Sequence, residues 1–365
     1  MRRFLLIMVS VMLLFGCATP QNEVMEKMFY PQLPQQPRIQ FLTRISVEEH
    51  LGVARSGFNE FLLGEAKSTK WITTPYDVEA SNKKIYVMDR KINSLIILDL
   101  EEKKFGFIDS KGMGSLSDPA GFTISDKDYK YVTDFGRKQV LVYDDENKYV
   151  RAYGQLDQFV KPVDVAVYGD RLYVCDFGLN QIVVVDMDSG DTVQTIGELG
   201  AEEGQFLKPT HIEIDDFGNI YVDDAFNFRI QVLDPDGVYV KTIGYHGDTY
   251  GALSRPKDLA VDREGLLYVV DAAFENVQIF DIETSRLMLF FGGYTRGPGG
   301  MTLPNGVYID YDSDNIEFFN KYADKDFKVQ YLVYVTNLVG DNKLNVYGFG
   351  DWLGEIIPAT ESSSE

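Results

Sequence analysis

Short runs of Val, Ile, Leu, Tyr and Phe, broken by Gly, Asp and Asn, fill the chain from residue 75 onwards. Such runs are strand chemistry, and the breaks between them are turn chemistry. The pattern recurs at intervals of roughly 45 residues, the length of a blade-sized repeat. Each unit opens on a proline, at Pro75, Pro119, Pro162, Pro209, Pro256 and Pro304. A first run follows, as in YDVEAS, VDVAVY and KDLAVD. A second run ends in an acid or amide: IYVMD, KYVTD, LYVCD, IYVDD, LYVVD and VYVTN. A third run ends at Asp99, Asp144, Asp186, Asp234 and Asp281, and a fourth closes most units, as in KYVRAYG, DTVQTIG, VYVKTIG and RLMLFFG. Four antiparallel strands per unit predict a propeller blade. Helical repeats of similar length need an apolar period near 3.6, which these runs lack. The expected fold is therefore all-β, a six-bladed β-propeller.

The last unit is irregular in two respects. After Tyr347 and Phe349 no fourth run follows, whereas Arg38 to Ser46, RIQFLTRIS, has the composition of the missing strand. Pairing of this segment with the C-terminal blade would close the ring and cover two edges. The sixth unit also carries extra chain over about 311–328, including NIEFFNKYADKDFKVQ, whose Ile316, Phe319 and Ala323 can share a helical face. Its aromatic cluster of Phe318, Phe319, Tyr322 and Phe327 reads either as a partner-docking protrusion or as cover for its own blade. Leu51 to Leu63 is expected to form a short helix on one propeller face. The predicted division is 1–16, 17–37 as a Pro/Gln-rich spacer, 38–352 as the propeller, and 353–365 as a disordered tail.

The first seventeen residues, MRRFLLIMVSVMLLFGC, have a basic start, an apolar stretch too short to span a bilayer, and a small residue before cysteine. This resembles the signal and lipobox of bacterial lipoproteins, in which the cysteine becomes an acylated N-terminus. The resemblance implies lipidation at Cys17, export, and anchoring by acyl chains. Ala18, rather than aspartate, follows that cysteine, which by the same resemblance favours the outer membrane. The formal charge of −21 repels nucleic acid and anionic head groups, so acyl chains rather than a basic patch would hold the protein at a membrane. The only other cysteine, Cys175, lies in a strand-like run and reads as a buried, inert thiol.

The tandem units, clearest in KPVDVAVYGDRLYVCDFGLNQIVVVD and RPKDLAVDREGLLYVVDAAFENVQIFD, resemble NHL-repeat propellers over residues 38–352. More narrowly, the chain is similar to bacterial six-bladed propeller lipoproteins of unassigned role. The resemblance implies the fold and little chemistry. Some related propellers are metal-dependent lyases or lactonases with several histidines at the channel mouth, a pattern from which this chain departs.

Its histidines are His50, His211 and His246, and no metalloprotease, nucleotide-binding, serine-hydrolase or c-type haem motif occurs. One constellation stands out. The second residue after each blade proline is Asp77, Gly121, Asp164, His211, Asp258 and Gly306, and these positions should ring the central channel. Asp77, Asp164, Asp258 and His211 could hold one Ca2+; alternatively each aspartate bonds to neighbouring backbone amides. Asp89, Asp134, Asp176, Asp224 and Asp271, recurring at the ends of the second runs, are expected to bond to amides of the loop that follows. The combined expectation is an envelope-anchored, non-catalytic scaffold for a protein partner or ligand. Two alternatives accompany it: a calcium-dependent lactonase or lyase at the channel mouth, and a docking subunit of an envelope electron-transfer complex.

Overall fold

The computed structural model describes residues 27–52, 70–108, 111–155, 157–295 and 297–356. The segment 1–16, Cys17, and most of the 51–63 and 353–365 stretches lie outside the described residues. The chain forms six antiparallel sheets. The first blade is β3 (Pro75–Ser81), β4 (Lys84–Asp89), β5 (Ser94–Asp99) and β6 (Lys104–Phe107), and the next four blades repeat this order. Their innermost strands are β7 (Pro119–Ile124), β11 (Pro162–Tyr168), β15 (His211–Ile214) and β19 (Pro256–Val261). The sixth blade adds β23 (Pro304–Asp310). The innermost strands touch in the order β3, β7, β11, β15, β19, β23 and back to β3, so the ring is closed.

Closure comes from the N-terminal segment, as the missing fourth run implies. Strand β2 (Ile39–Ile45) pairs antiparallel with β25 (Leu344–Trp352), which pairs with β24 (Phe327–Asn337) and so with β23. One finding departs from the sequence reading. Part of the stretch read as spacer is structured, since β1 (Phe29–Tyr30) adds a fifth strand outside β2, with Phe29 opposite Gln40 and Tyr30 opposite Ile39. The aromatic pair does this: Phe29 is buried edge-on against Trp352, and Tyr30 packs near Phe291 and Tyr347.

Packing explains why the second and third strands of the first five blades are buried almost throughout rather than on alternate residues. Among the described residues the buried apolar side chains fall into six clusters, one between each pair of adjacent blades. Each sheet is therefore covered on both faces. In β12 (Arg171–Asp176), Leu172 and Val174 face the second blade, while Tyr173 and Cys175 face the fourth. Cys175 is fully buried, and burial pushes its thiol well above the ordinary cysteine range.

The extra chain of blade six is a two-turn helix, α1 (Ser313–Asn320), capped by the Asp312 carboxylate on the amides of Asp314 and Asn315. It ends before Ala323, so the helical face expected to reach that residue is shorter than the sequence suggested. Phe319 and Phe327 are buried. Phe319 joins the cluster between blades six and one, while Phe318 and Tyr322 pack only partly against it.

Candidate functional site: the channel ring and its mouth

The blade prolines start the innermost strands, which brings the second residues after them together around the channel. Asp77, Asp164 and Asp258 are all buried there. Each reaches into the next blade: Asp77 accepts the Phe122 amide at 3.0 Å, Asp164 the Ile212 amide at 2.9 Å, and Asp258 the Val307 amide at 2.8 Å. Asp77 and Asp258 also accept the amides of Val78 and Leu259. Thus the aspartates tie blade one to two, three to four, and five to six.

The other interfaces use the alternate residues. His211 spans two acids, with Nδ1 2.8 Å from Asp164 and Nε2 2.6 Å from Asp258. Both ring nitrogens face carboxylates, so both must donate, which is the imidazolium. Burial alone would lower the His211 pKa, but Asp164 and Asp258 outweigh it and hold it well above the ordinary histidine value. Gly121 makes room for Asp164: a β-carbon there would lie 2.2 Å from Asp164 Oδ1. Gly306 packs on the backbone at Asp77, where a β-carbon would lie 3.0 Å from its Cα. Asp77, which has no histidine beside it, is pushed well above the usual carboxylate range, by burial first and then by repulsion from Asp258 and Asp164.

An alternation emerges. Odd blades pair a ring aspartate with Met88, Cys175 or Val270 at the residue before the strand-ending acid. Blades two and six pair a ring glycine with Thr133 or Thr336, whose hydroxyls accept the Gly121 and Gly306 amides. Blade four breaks the rule with His211 and Asp223. Asp223 accepts the Thr210 hydroxyl at 2.6 Å, and burial pushes its carboxyl up to about 7. Farther along the channel, Glu213 is pushed up to about 8, chiefly by burial, although part of its surface borders the channel.

The strand-ending acids do more than was read from their recurrence. Asp176 accepts the following-loop amides of Gly178 and Leu179, and also those of Val160 and Lys161 before the blade proline. Asp89, Asp134 and Asp271 clamp both segments in the same way. Asp224 clamps the incoming chain at the Leu207 amide but holds its turn through the side chains of Asn227 and Arg229.

Where first strands begin and second strands end, residues of five blades line a cavity of about 380 Å3 at the channel mouth. It is walled by Phe135 and Phe177 and carries Arg90, Lys161, Arg255 and Lys257. Sequence reasoning followed the acids and passed over these cations. Their signal was present in Lys161-Pro162 and Arg255-Pro256, just before two blade prolines, and in Arg90, just after a strand-ending acid. Of the other predicted site residues, Phe318, Phe319, Tyr322 and Phe327 lie on blade six, away from this mouth, and Cys17 is outside the described residues. No group of three or more His, Cys, Asp or Glu side chains among the described residues has metal-ligating geometry, and no described helix is long and apolar enough to cross a membrane.

No protein-family model and no curated protein matches the chain. Solved structures share its fold. A Bacteroides thetaiotaomicron protein of unknown function aligns with a TM-score of 0.56 at 15% identity, covering 76% of this chain and 70% of that one. An auxiliary nutrient binding protein from the same organism gives 0.54 at 11% identity, over 78% and 70%. Virginiamycin B lyase from Staphylococcus aureus gives 0.50 at 14% identity, over 77% and 86%. Identities this low establish the propeller architecture alone.

Proposed function

We propose that the chain is a non-catalytic binding protein, exported and held at the outer membrane by acylation of Cys17, with the propeller as a rigid scaffold for an envelope partner or ligand. One observation carries this reading. The channel ring, which brings together catalytic residue types, is spent on architecture: the ring carboxylates hold amides of neighbouring blades, and both nitrogens of His211 are taken by Asp164 and Asp258. Only Asp164 Oδ1 lacks a hydrogen-bond partner in the ring, and it is wedged against Gly121. A general base needs a free lone pair, and a hard cation needs several oxygens released from other bonds. The acidic surface and the lipobox resemblance support acyl chains as the anchor.

Protein purified from native membranes without added metal tests both parts. The reading expects less than stoichiometric calcium and zinc, and a Cys17→Ser chain that leaves the membrane fraction. Stoichiometric metal lost on Asp164→Asn would favour the enzyme instead, and a Cys17→Ser chain that stays with membranes after signal cleavage would remove the anchor.

A further inference from the structure

We propose that the channel mouth binds a small organic oxyanion carried on a flat apolar body, of which an aromatic carboxylate is the simplest example. The chain has 56 acidic and 35 basic residues, yet the cavity at the mouth is lined by four cations and by no carboxylate. A local reversal of sign against so acidic a background is what an anion site requires. The net charge still excludes long polyanions, whose charges would lie over the acidic surface, whereas a small anion inside the mouth meets the four lining cations first, with the buried ring aspartates one residue farther along the innermost strands.

The four cations are not equally committed. Arg90 is paired with Asp118 at 2.5 Å. Lys161 sits over the faces of Phe135 at 4.9 Å and Phe177 at 4.6 Å. Arg255 and Lys257 flank Pro256, and among the described residues neither side chain has a hydrogen bond or an ion pair. Lys257 is half-buried, and its pKa is lowered by burial and then by Arg255. Of the acids acting on Lys257, Asp271 holds the amides of Ser254, Arg255 and Ala273, and Asp223 holds Thr210 through Oδ2 while its Oδ1 has no partner. Two adjacent cations, one partly desolvated, repel each other until an anion enters between them.

The walls supply the second half of the specificity. Phe135 and Phe177, whose faces carry Lys161, wall the mouth, and Phe226, near Phe177, is 57% exposed, a large apolar surface that a flat ligand would cover. A volume of about 380 Å3 lies within the range of small-molecule sites. This inference goes beyond the scaffold reading and does not depend on any protein partner.

The test is calorimetric titration of the full chain with 2-naphthoate, 2-naphthamide and acetate. The expected result is saturable binding of 2-naphthoate, with the uncharged amide and the ring-less acetate weaker by about tenfold or more. Lys257→Met and Arg255→Gln should each weaken 2-naphthoate by about tenfold, with melting temperatures unchanged, and Lys257→Arg should retain most of the affinity. Arg255 is exposed, so its variant decides the matter even if Lys257→Met folds poorly. Equal binding of the amide, insensitivity to both substitutions, or no saturable binding to the wild-type chain would each overturn the proposal.

Discussion

Glu213 shows what the channel does to a single residue. Its carboxyl is pushed up to about 8, by burial first, with Asp258 and Asp164 adding to the effect and His211 opposing it. The folded chain therefore keeps a proton that the unfolded chain releases above about 4.5, the ordinary glutamate value. The stability this contributes is complete below that value and is lost as pH rises through about 8. Asp223, pushed up to about 7, and His211, raised by its two acids, act in the same direction. Melting temperature should therefore fall steadily between pH 5 and pH 9, and Glu213→Gln should flatten that slope. A flat profile, or an unchanged slope in the variant, would contradict this account. At this scale the sequence showed which residues face the channel, because spacing from the blade prolines sets it. It also offered neighbouring backbone amides as the partners of the aspartates, but not which amides they are. The donors to Asp77, Asp164 and Asp258 are backbone amides one blade away, and a backbone amide leaves no mark on residue identity.

Among the elements, α1 and the strand that follows it separate structure from surface. Phe319 is buried against Tyr334, while Phe318 lies half in water beside Lys321. In denaturant unfolding, Phe319→Ala should cost about 3 kcal/mol or more, since a large buried ring is lost. Phe318→Ser should cost about 1 kcal/mol or less, since most surface substitutions have small effects. The reverse order would mean that the helix packs differently. Half of the aromatic cluster is thus cover for the blade, and a partner could reach only Phe318 and Tyr322. The strand β2 was legible because the last blade lacked a fourth run and RIQFLTRIS matched the need. The fifth strand was not, because Phe29–Tyr30 is two residues long and sits against the Pro/Gln-rich YPQLPQQP, which gives no periodic signal. The helix end was not legible, because apolar spacing continues to Ala323 while the helix stops at Asn320 with Lys321 as its C-cap.

For the whole molecule, the ring is what makes six sheets one body. Apolar clusters glue neighbouring blades, but such contacts are non-directional; the aspartates and His211 fix register by reaching across the interfaces. The propeller itself could be read from six tandem units, since stacking of repeats follows from each sheet being apolar on both faces. The cationic mouth could not be read as readily, because Arg90, Lys161, Arg255 and Lys257 come from three blades and converge only when the ring closes. The central claim is that His211 is a structural tie rather than a reserved catalytic group, and the stability of His211→Asn tests it most directly. Breaking a buried ion pair by removing one partner typically costs about 3–5 kcal/mol, whereas removing a catalytic group from a strained site often raises stability. The account predicts that His211→Asn unfolds at lower denaturant, with a loss of about 3 kcal/mol or more. A variant as stable as the wild type, or more stable, would contradict it.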